Sequence, residues 1–151
     1  MRRKDREITK DEAIGILEKG EYGVLSMCTP TNEGYGVPLN YVLFDNSLYF
    51  HSATAGSKLE SLNENGKVSF CVVGATTLLP AEFGTLYESV IVAGSISRVE
   101  GKAKTEALKE LVKKYSGEFI PQGNDYIDRL IDKVIVLKLP MESVTGKARK
   151  R

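Results

Sequence analysis

The residues from Tyr49 to Lys58, Tyr-Phe-His-Ser-Ala-Thr-Ala-Gly-Ser-Lys, bring a histidine, several hydroxyls and a lysine into one short stretch. The pattern reads as the end of a strand, a loop of small residues, and a helix opened by Gly56, Ser57 and Lys58. Amides at a helix start carry partial positive charge and a lysine adds a full one, so this turn is suited to a phosphate. His51 is the only histidine in the chain. Two readings are open for it: a structural hydrogen-bonding residue, or a group that tunes a bound cofactor or moves a proton. Lys58 is either a phosphate ligand or a solvated helix lysine.

A second candidate lies at Pro38, which interrupts the strand pattern Tyr35-Gly-Val-Pro-Leu-Asn-Tyr-Val-Leu-Phe44. Proline donates no ladder hydrogen bond, so it belongs on an edge or at a bulge. It either blunts an edge against aggregation or frees backbone groups of Pro38, Leu39 and Asn40 to meet a planar ligand. The Asn40 amide offers both a donor and an acceptor. No Cys, His or carboxylate cluster has metal-ligand spacing, and no serine sits on a nucleophile elbow, so neither a metal nor a Ser-His-Asp site is expected.

The elements that must position these residues follow from pattern. Thr9 to Glu12 forms a capping box ahead of a short helix over about 10–18. Strands are expected at Tyr22–Cys28, Tyr35–Phe44, Ser47–His51, Lys67–Val73, Ser89–Val99 and Val134–Leu139. Asp45-Asn46 is a hairpin turn between the second and third of these. Ser57–Asn63, Thr105–Lys114 and Asn124–Lys133 read as helices. Pro80 and Gly84 suggest an irregular loop across 74–87, and Pro140 is expected to close the sheet. Strands linked by hairpins, with short or late helices, disfavour a doubly wound parallel sheet and any Gly-x-Gly-x-x-Gly dinucleotide site. The expectation is a mainly β chain, an antiparallel sheet closing into a small barrel with peripheral helices.

With 151 residues, 42% apolar and 27% charged, the chain fits one globular domain over 1–151. No apolar run is long enough for a membrane span, and no secretory leader pattern opens the chain, so a cytoplasmic protein is expected. Cys28 and Cys71 sit in apolar strands and read as buried reduced thiols. The net charge of +1 is uneven: residues 1–6 carry +3 and 147–151 carry +4, leaving −6 on the body between. That is not a nucleic-acid-binding face. The basic ends are read either as solvated tails or as a segment folding back onto a phosphate.

These segments together resemble the FMN-binding split-barrel family of pyridoxamine 5′-phosphate oxidase-like proteins, in the subgroup related to nitroimidazole-resistance proteins. The carrying segments are Arg2–Ile8, Gly36-Val-Pro-Leu-Asn-Tyr41, Tyr49–Ala53 with Gly56-Ser-Lys58, Ser89-Val-Ile-Val-Ala-Gly94, and Thr145-Gly-Lys147. The resemblance implies a six-stranded antiparallel split β-barrel that forms a homodimer with FMN at the subunit interface. It implies that Pro38, Leu39 and Asn40 run along the isoalloxazine, that His51 and Ser52 lie at the ribityl and phosphate end, and that Ser57 and Lys58 bind the phosphate. Ser89 and Val90 would approach near the interface, from the same chain or its partner.

The implied activity is FMN-dependent reduction of a small electrophile, a nitroaromatic among the candidates, with reduced nicotinamide as an electron donor and His51 as the one candidate catalytic residue. The alternatives are a non-catalytic flavin-binding or flavin-sensing protein, or a barrel holding deazaflavin or haem. Two departures bear on this. Position 57 is Ser where the oxidases carry arginine, and the chain lacks their Arg-x-His substrate segment, which argues against oxidation of pyridoxamine phosphate.

Overall fold

Strict alternation builds the first strand: in Tyr22–Cys28 (β1) Gly23, Leu25 and Met27 turn inward while Tyr22, Val24, Ser26 and Cys28 face out. The computed structural model describes residues 3–151; Met1 and Arg2, and with them part of the basic start, lie outside the described residues. Ahead of β1, helix α1 (Lys10–Lys19) begins at Thr9 with the full capping box to Glu12. After β1 come β2 (Gly34–Asn40), β3 (Val42–Phe44), β4 (Ser47–Ser52), α2 (Ser57–Glu64), β5 (Lys67–Leu79), β6 (Gly84–Ser95) and β7 (Ser97–Val99). Helices α3 (Gly101–Tyr115) and α4 (Ile120–Leu130) then precede β8 (Ile135–Pro140) and β9 (Ser143–Arg149).

The strands form two antiparallel sheets, β2-β1-β5-β6-β9 and β3-β4-β8-β7. Six of them are halves of three longer bent strands. The chain passes from one sheet to the other at Tyr41 between β2 and β3, at Ile96 between β6 and β7, and at Met141 between β8 and β9. Each of these corner residues is buried. Counted as continuous strands, the nine segments are six, which is the expected split barrel.

Inward side chains of both sheets meet in one core that includes Leu25, Leu48, Phe50, Phe70, Val90, Val92, Leu137 and Leu139, with Leu17 of α1 closing one end. Phe70 stands edge-on to both Tyr41 and Phe50, with centroids 5.0 and 4.8 Å away. The outer face of the smaller sheet carries a second cluster, where Val42, Tyr49 and Val136 meet Ala107, Leu108 and Leu111 of α3 and Ile127 of α4. This second layer is what places α3 and α4 beside the end of β4.

Several expectations change. The segment 74–87 is not irregular: β5 and β6 run on as a hairpin arm, closed by a 3-10 turn at Pro80–Glu82 and by Phe83 in the left-handed region. The register shifts between Val73 and Thr76, and there the Glu88 carboxylate accepts from the Ala75 amide at 3.2 Å. Pro80 and Gly84 therefore mark the tip of a hairpin and not a loop. Nor does Pro140 end the sheet, because β9 follows and pairs with β6 along seven residues. The basic C-terminal end is thus largely a strand: Lys147 pairs with Ser89 and bridges to Glu7. Cys28 is exposed and Cys71 half-buried, both free, since each faces outward from the sheet.

Candidate functional site

β4 delivers His51 and Ser52 to the mouth of the barrel, and the turn to α2 follows at once. Gly56 has φ 130°, a backbone conformation open to glycine and strained for other residues, which lets the chain reverse directly into the helix. Its carbonyl accepts from Leu59 and Glu60, and no side chain caps the helix start. Ser52 is buried, Lys58 half-buried, and Ser57 and His51 exposed. Desolvation lowers the Lys58 pKa. Desolvation, then the nearby Lys58 charge, lowers that of His51. Both shifts favour the neutral forms, and the Lys58 charge acting on His51 puts the two side chains at one turn.

The second part of the site comes from β2. It is the edge of the larger sheet, and Pro38 pairs with Val24 on its one bonded side. Pro38 and Asn40 are exposed, while Leu39 is half-buried and packs against the core. At Tyr41 the strand bends, and the backbone groups freed there are claimed by the end of α3. The Tyr115 hydroxyl accepts from the Tyr41 amide at 3.0 Å and shares its proton between the carbonyls of Glu21 and Tyr41. Lys114 Nζ donates to the carbonyls of Gly20 at 2.7 Å and Tyr41 at 3.0 Å. Tyr41 itself is fully buried, and its hydroxyl donates to the Leu17 carbonyl at 2.6 Å.

Val42 pairs with Tyr49 on the smaller sheet, two residues beyond Asn40 on one strand and two before His51 on the other. Asn40 and His51 both line one cleft of about 620 Å³ between the end of the smaller sheet and the α3–α4 pair. A second hollow runs beside Pro38, Leu39 and Asn40, toward Glu21, Tyr22 and Lys114. Asn40 and Tyr115 border both spaces and form the partition between them.

The structure therefore brings together Pro38, Leu39 and Asn40 with His51 and Ser52, and sets Ser57 and Lys58 in the adjoining turn. It does not bring Ser89 and Val90 to them within one chain. Val90 is fully buried in the core, so its side chain is not available to a ligand. Ser89 lies on the larger sheet between Val73 and Lys147. The basic N-terminal residues are also engaged elsewhere: Arg3 pairs with Asp5, and Arg6 with the Tyr87 hydroxyl. Sequence reasoning missed Lys114, Tyr115 and the apolar lining from α3 and α4. A lysine in the last turn of a helix is a common dipole partner, so nothing in its spacing marks Lys114 as holding a distant bend.

The pyridoxamine 5′-phosphate oxidase family model matches residues 9–148. Among curated proteins nothing matches the chain. Solved structures of similar fold include a candidate 5-nitroimidazole antibiotic resistance protein from Bacteroides thetaiotaomicron, 23% identical, covering 94% of this chain and 86% of that one at TM-score 0.77. A FAD-binding protein from Mesorhizobium loti is 22% identical over 96% of this chain and 98% of its own, at TM-score 0.66. A FAD and haem binding protein from Mycobacterium smegmatis is 14% identical over 95% of this chain and 72% of its own, at TM-score 0.78. The match along nearly the whole chain, on a six-stranded split barrel, makes this protein a member of the pyridoxamine 5′-phosphate oxidase family of flavin-binding split barrels.

Proposed function

We propose that the chain is an FMN-dependent oxidoreductase that acts as a homodimer and reduces a small electrophile, with nitroaromatic compounds the first class to try. The observation that carries this reading is the meeting of the exposed edge at Pro38–Asn40 with the His51–Lys58 turn, beside a cleft large enough for an organic substrate. The donor set suits a flavin phosphate: one ammonium, uncapped helix amides and the hydroxyls of Ser52 and Ser57. The Asn40 amide suits the polar edge of an isoalloxazine, and Leu39 its apolar face. The flavin would supply the electron transfer; the protein fixes its position, its electrostatics and its access to water. His51, held toward its neutral form, is the candidate for tuning that charge or relaying a proton.

The dimer rests on the outer face of the larger sheet. Tyr22, Val24, Val73 and Ile91 stand 62, 38, 61 and 44% exposed there, an apolar surface that a second copy would cover. Ser89 lies on the same face, so it and the backbone at Val90 would serve the partner's site and not their own. Two free cysteines accord with a reducing, cytoplasmic setting. Among the described residues no helix is long and apolar enough to cross a membrane.

The test is the visible spectrum of the protein purified without added cofactor, with mass spectrometry of what heat releases, followed by turnover with reduced nicotinamide and a nitro compound. FMN near one per chain with turnover supports the proposal. FMN without turnover leaves a flavin-binding or flavin-sensing protein. Because relatives of this fold are described as binding FAD, or FAD and haem, release of either replaces the cofactor and keeps the site.

A further inference from the structure

Past Val73 the larger sheet narrows to two strands. β5 has no β1 partner beyond Cys71 and β6 has no β9 partner beyond Tyr87, so residues 78–85 pair only with each other. At about 3.3 Å per residue the tip stands roughly 10 Å beyond the last β9 pairing. It carries two apolar side chains that its own chain leaves bare, Leu78 at 74% exposure and Phe83 at 99%. Phe83 also holds φ 48°, in the left-handed region that glycine occupies freely and a bulky residue does not. Within one chain the ring stabilises nothing and its backbone is strained. Paired residues share a face, so Leu78 and Thr85 continue the outer face that carries Val73, Ser89 and Ile91.

The same face holds a hollow of about 570 Å³, between the end of α1 and the bulge of β5, walled by Tyr22, Val24, Cys71 and Val73. Its edge is mainly acidic, with Glu21 and Glu88 against Lys19. The arm has the opposite sign. The Arg149 guanidinium lies where a side chain at Gly84 would stand, next to Phe83, and Arg6 and Lys147 gather at Tyr87 near its root; Glu82 is the one acid at the tip. Neither Arg149 nor Glu21 makes an ion pair among the described residues. From these features we infer that the arm is a clasp between two copies of this chain, Phe83 of each seating in the hollow beside Tyr22 and Val73 of the other. The ladder holds the arm extended, so Phe83 does not fold back into its own hollow. Knob and hollow on one face make a self-complementary pair, as a two-fold dimer needs, and the charges that flank them match. The clasp rests on the homodimer proposed above and not on the flavin.

The test measures the dimer dissociation constant of the whole chain by sedimentation equilibrium. Phe83→Gly removes the ring and relieves the positive φ, so the variant folds and its monomer melts no lower than the parent's. It raises the dissociation constant by about tenfold or more, the loss of a buried aromatic anchor, and Glu21→Lys raises it as well. Cross-linking locates the contact. In a Phe83→Cys, Cys28→Ser protein a short bismaleimide joins position 83 to Cys71, and mixing isotope-labelled with unlabelled chains shows the link to run between chains. An unchanged dissociation constant in either Phe83→Gly or Glu21→Lys overturns the clasp. So does a link within one chain, or none to Cys71. A parent protein that is monomeric at every concentration sinks the homodimer and the clasp together. A dimer that Val73→Lys dissociates and Phe83→Gly leaves intact sinks the clasp alone.

Discussion

Lys114 Nζ lies 4.0 Å from the centre of the Tyr41 ring while donating to the Tyr41 carbonyl at 3.0 Å. One side chain thus holds both the face and the backbone of the residue at which β2 crosses into β3. Its third contact, the Gly20 carbonyl, ties the end of α1 to the same point. The approach is tight, since a Cβ at Gly20 would stand 2.5 Å from the Tyr41 hydroxyl. Desolvation lowers the Lys114 pKa, the expected cost of a cation held among carbonyls and rings. The edge that carries Pro38, Leu39 and Asn40 is therefore positioned from α3, over seventy residues away in sequence.

Lys114→Met is expected to destabilise the fold, because two carbonyls lose a charged donor. The loss is about 1–3 kcal/mol, or roughly 2–10 °C in melting temperature for a chain of this size. It should also weaken FMN binding, whereas Lys113→Met, at an exposed neighbour, changes neither. Thermal melts and FMN titration on both variants check this. A Lys114→Met protein with lower stability and unchanged flavin affinity would show that the bend does not govern the site.

Lys58→Ala tests the phosphate turn. Removing a charge-assisted contact costs about 1.5–3 kcal/mol, or about ten- to over a hundredfold in FMN dissociation constant. Lys58→Arg should retain much of the affinity, since the charge is kept. Riboflavin, which lacks the phosphate, should bind parent and Lys58→Ala alike. Equal FMN affinity in parent and Lys58→Ala would remove Lys58 from the site.

Much of this arrangement was legible in the sequence because it is written locally. The capping box at Thr9, the turn at Asp45-Asn46 with both residues at positive φ, and the loop before α2 each depend on a few adjacent residues. What escaped depends on distant partners. Residues 74–87 carry turn-forming types, yet they extend the hairpin because Glu88 satisfies the bulge and β6 supplies a continuous ladder. β9 has a charged, glycine-containing sequence, and it is a strand because β6 offers it an open edge. The apolar lining from α3 and α4 looked like ordinary helix core, and half of it is. Only the second sheet shows that the remainder faces a cleft. Val90 shows the converse: the family segment marks the position, while alternation turns its side chain into the core and leaves only its backbone to meet a ligand.

The single histidine makes a pH test clean. Desolvation first, and the Lys58 charge second, lower the His51 pKa, so the folded protein prefers the neutral ring. The sign follows from linkage: above about pH 6.5, the unfolded value, the ring is neutral in both states and its contribution to stability is fully present. As pH falls through that value the unfolded chain takes up the proton first, and stability declines until the folded pKa is passed. His51→Gln should flatten the fall of melting temperature between pH 7.5 and 5.5 relative to the parent protein. The imidazole resonances should titrate below 6.5 without ligand, and FMN should move the midpoint upward by placing a phosphate near the ring. An FMN-saturated protein with an unmoved midpoint would locate the phosphate elsewhere.

The oligomer can be tested from the outer face of the larger sheet, where Val73 stands 61% exposed on β5. Val73→Lys leaves the core untouched, because its neighbours Phe70 and Val72 point inward and Val73 does not. If two copies bury this face against each other, the variant sets like charges opposite one another in a desolvated contact and shifts the protein toward monomer. Light scattering after gel filtration reads the mass, and the melting temperature of the dilute monomer reports whether the fold survives. Flavin content then separates two architectures. A folded monomer that has lost FMN supports a site shared between subunits, with Ser89 supplied by the partner. A folded monomer that keeps FMN places the whole site on one chain, at the junction of Asn40, His51 and Lys58. A dimer unaffected by Val73→Lys assembles through another face.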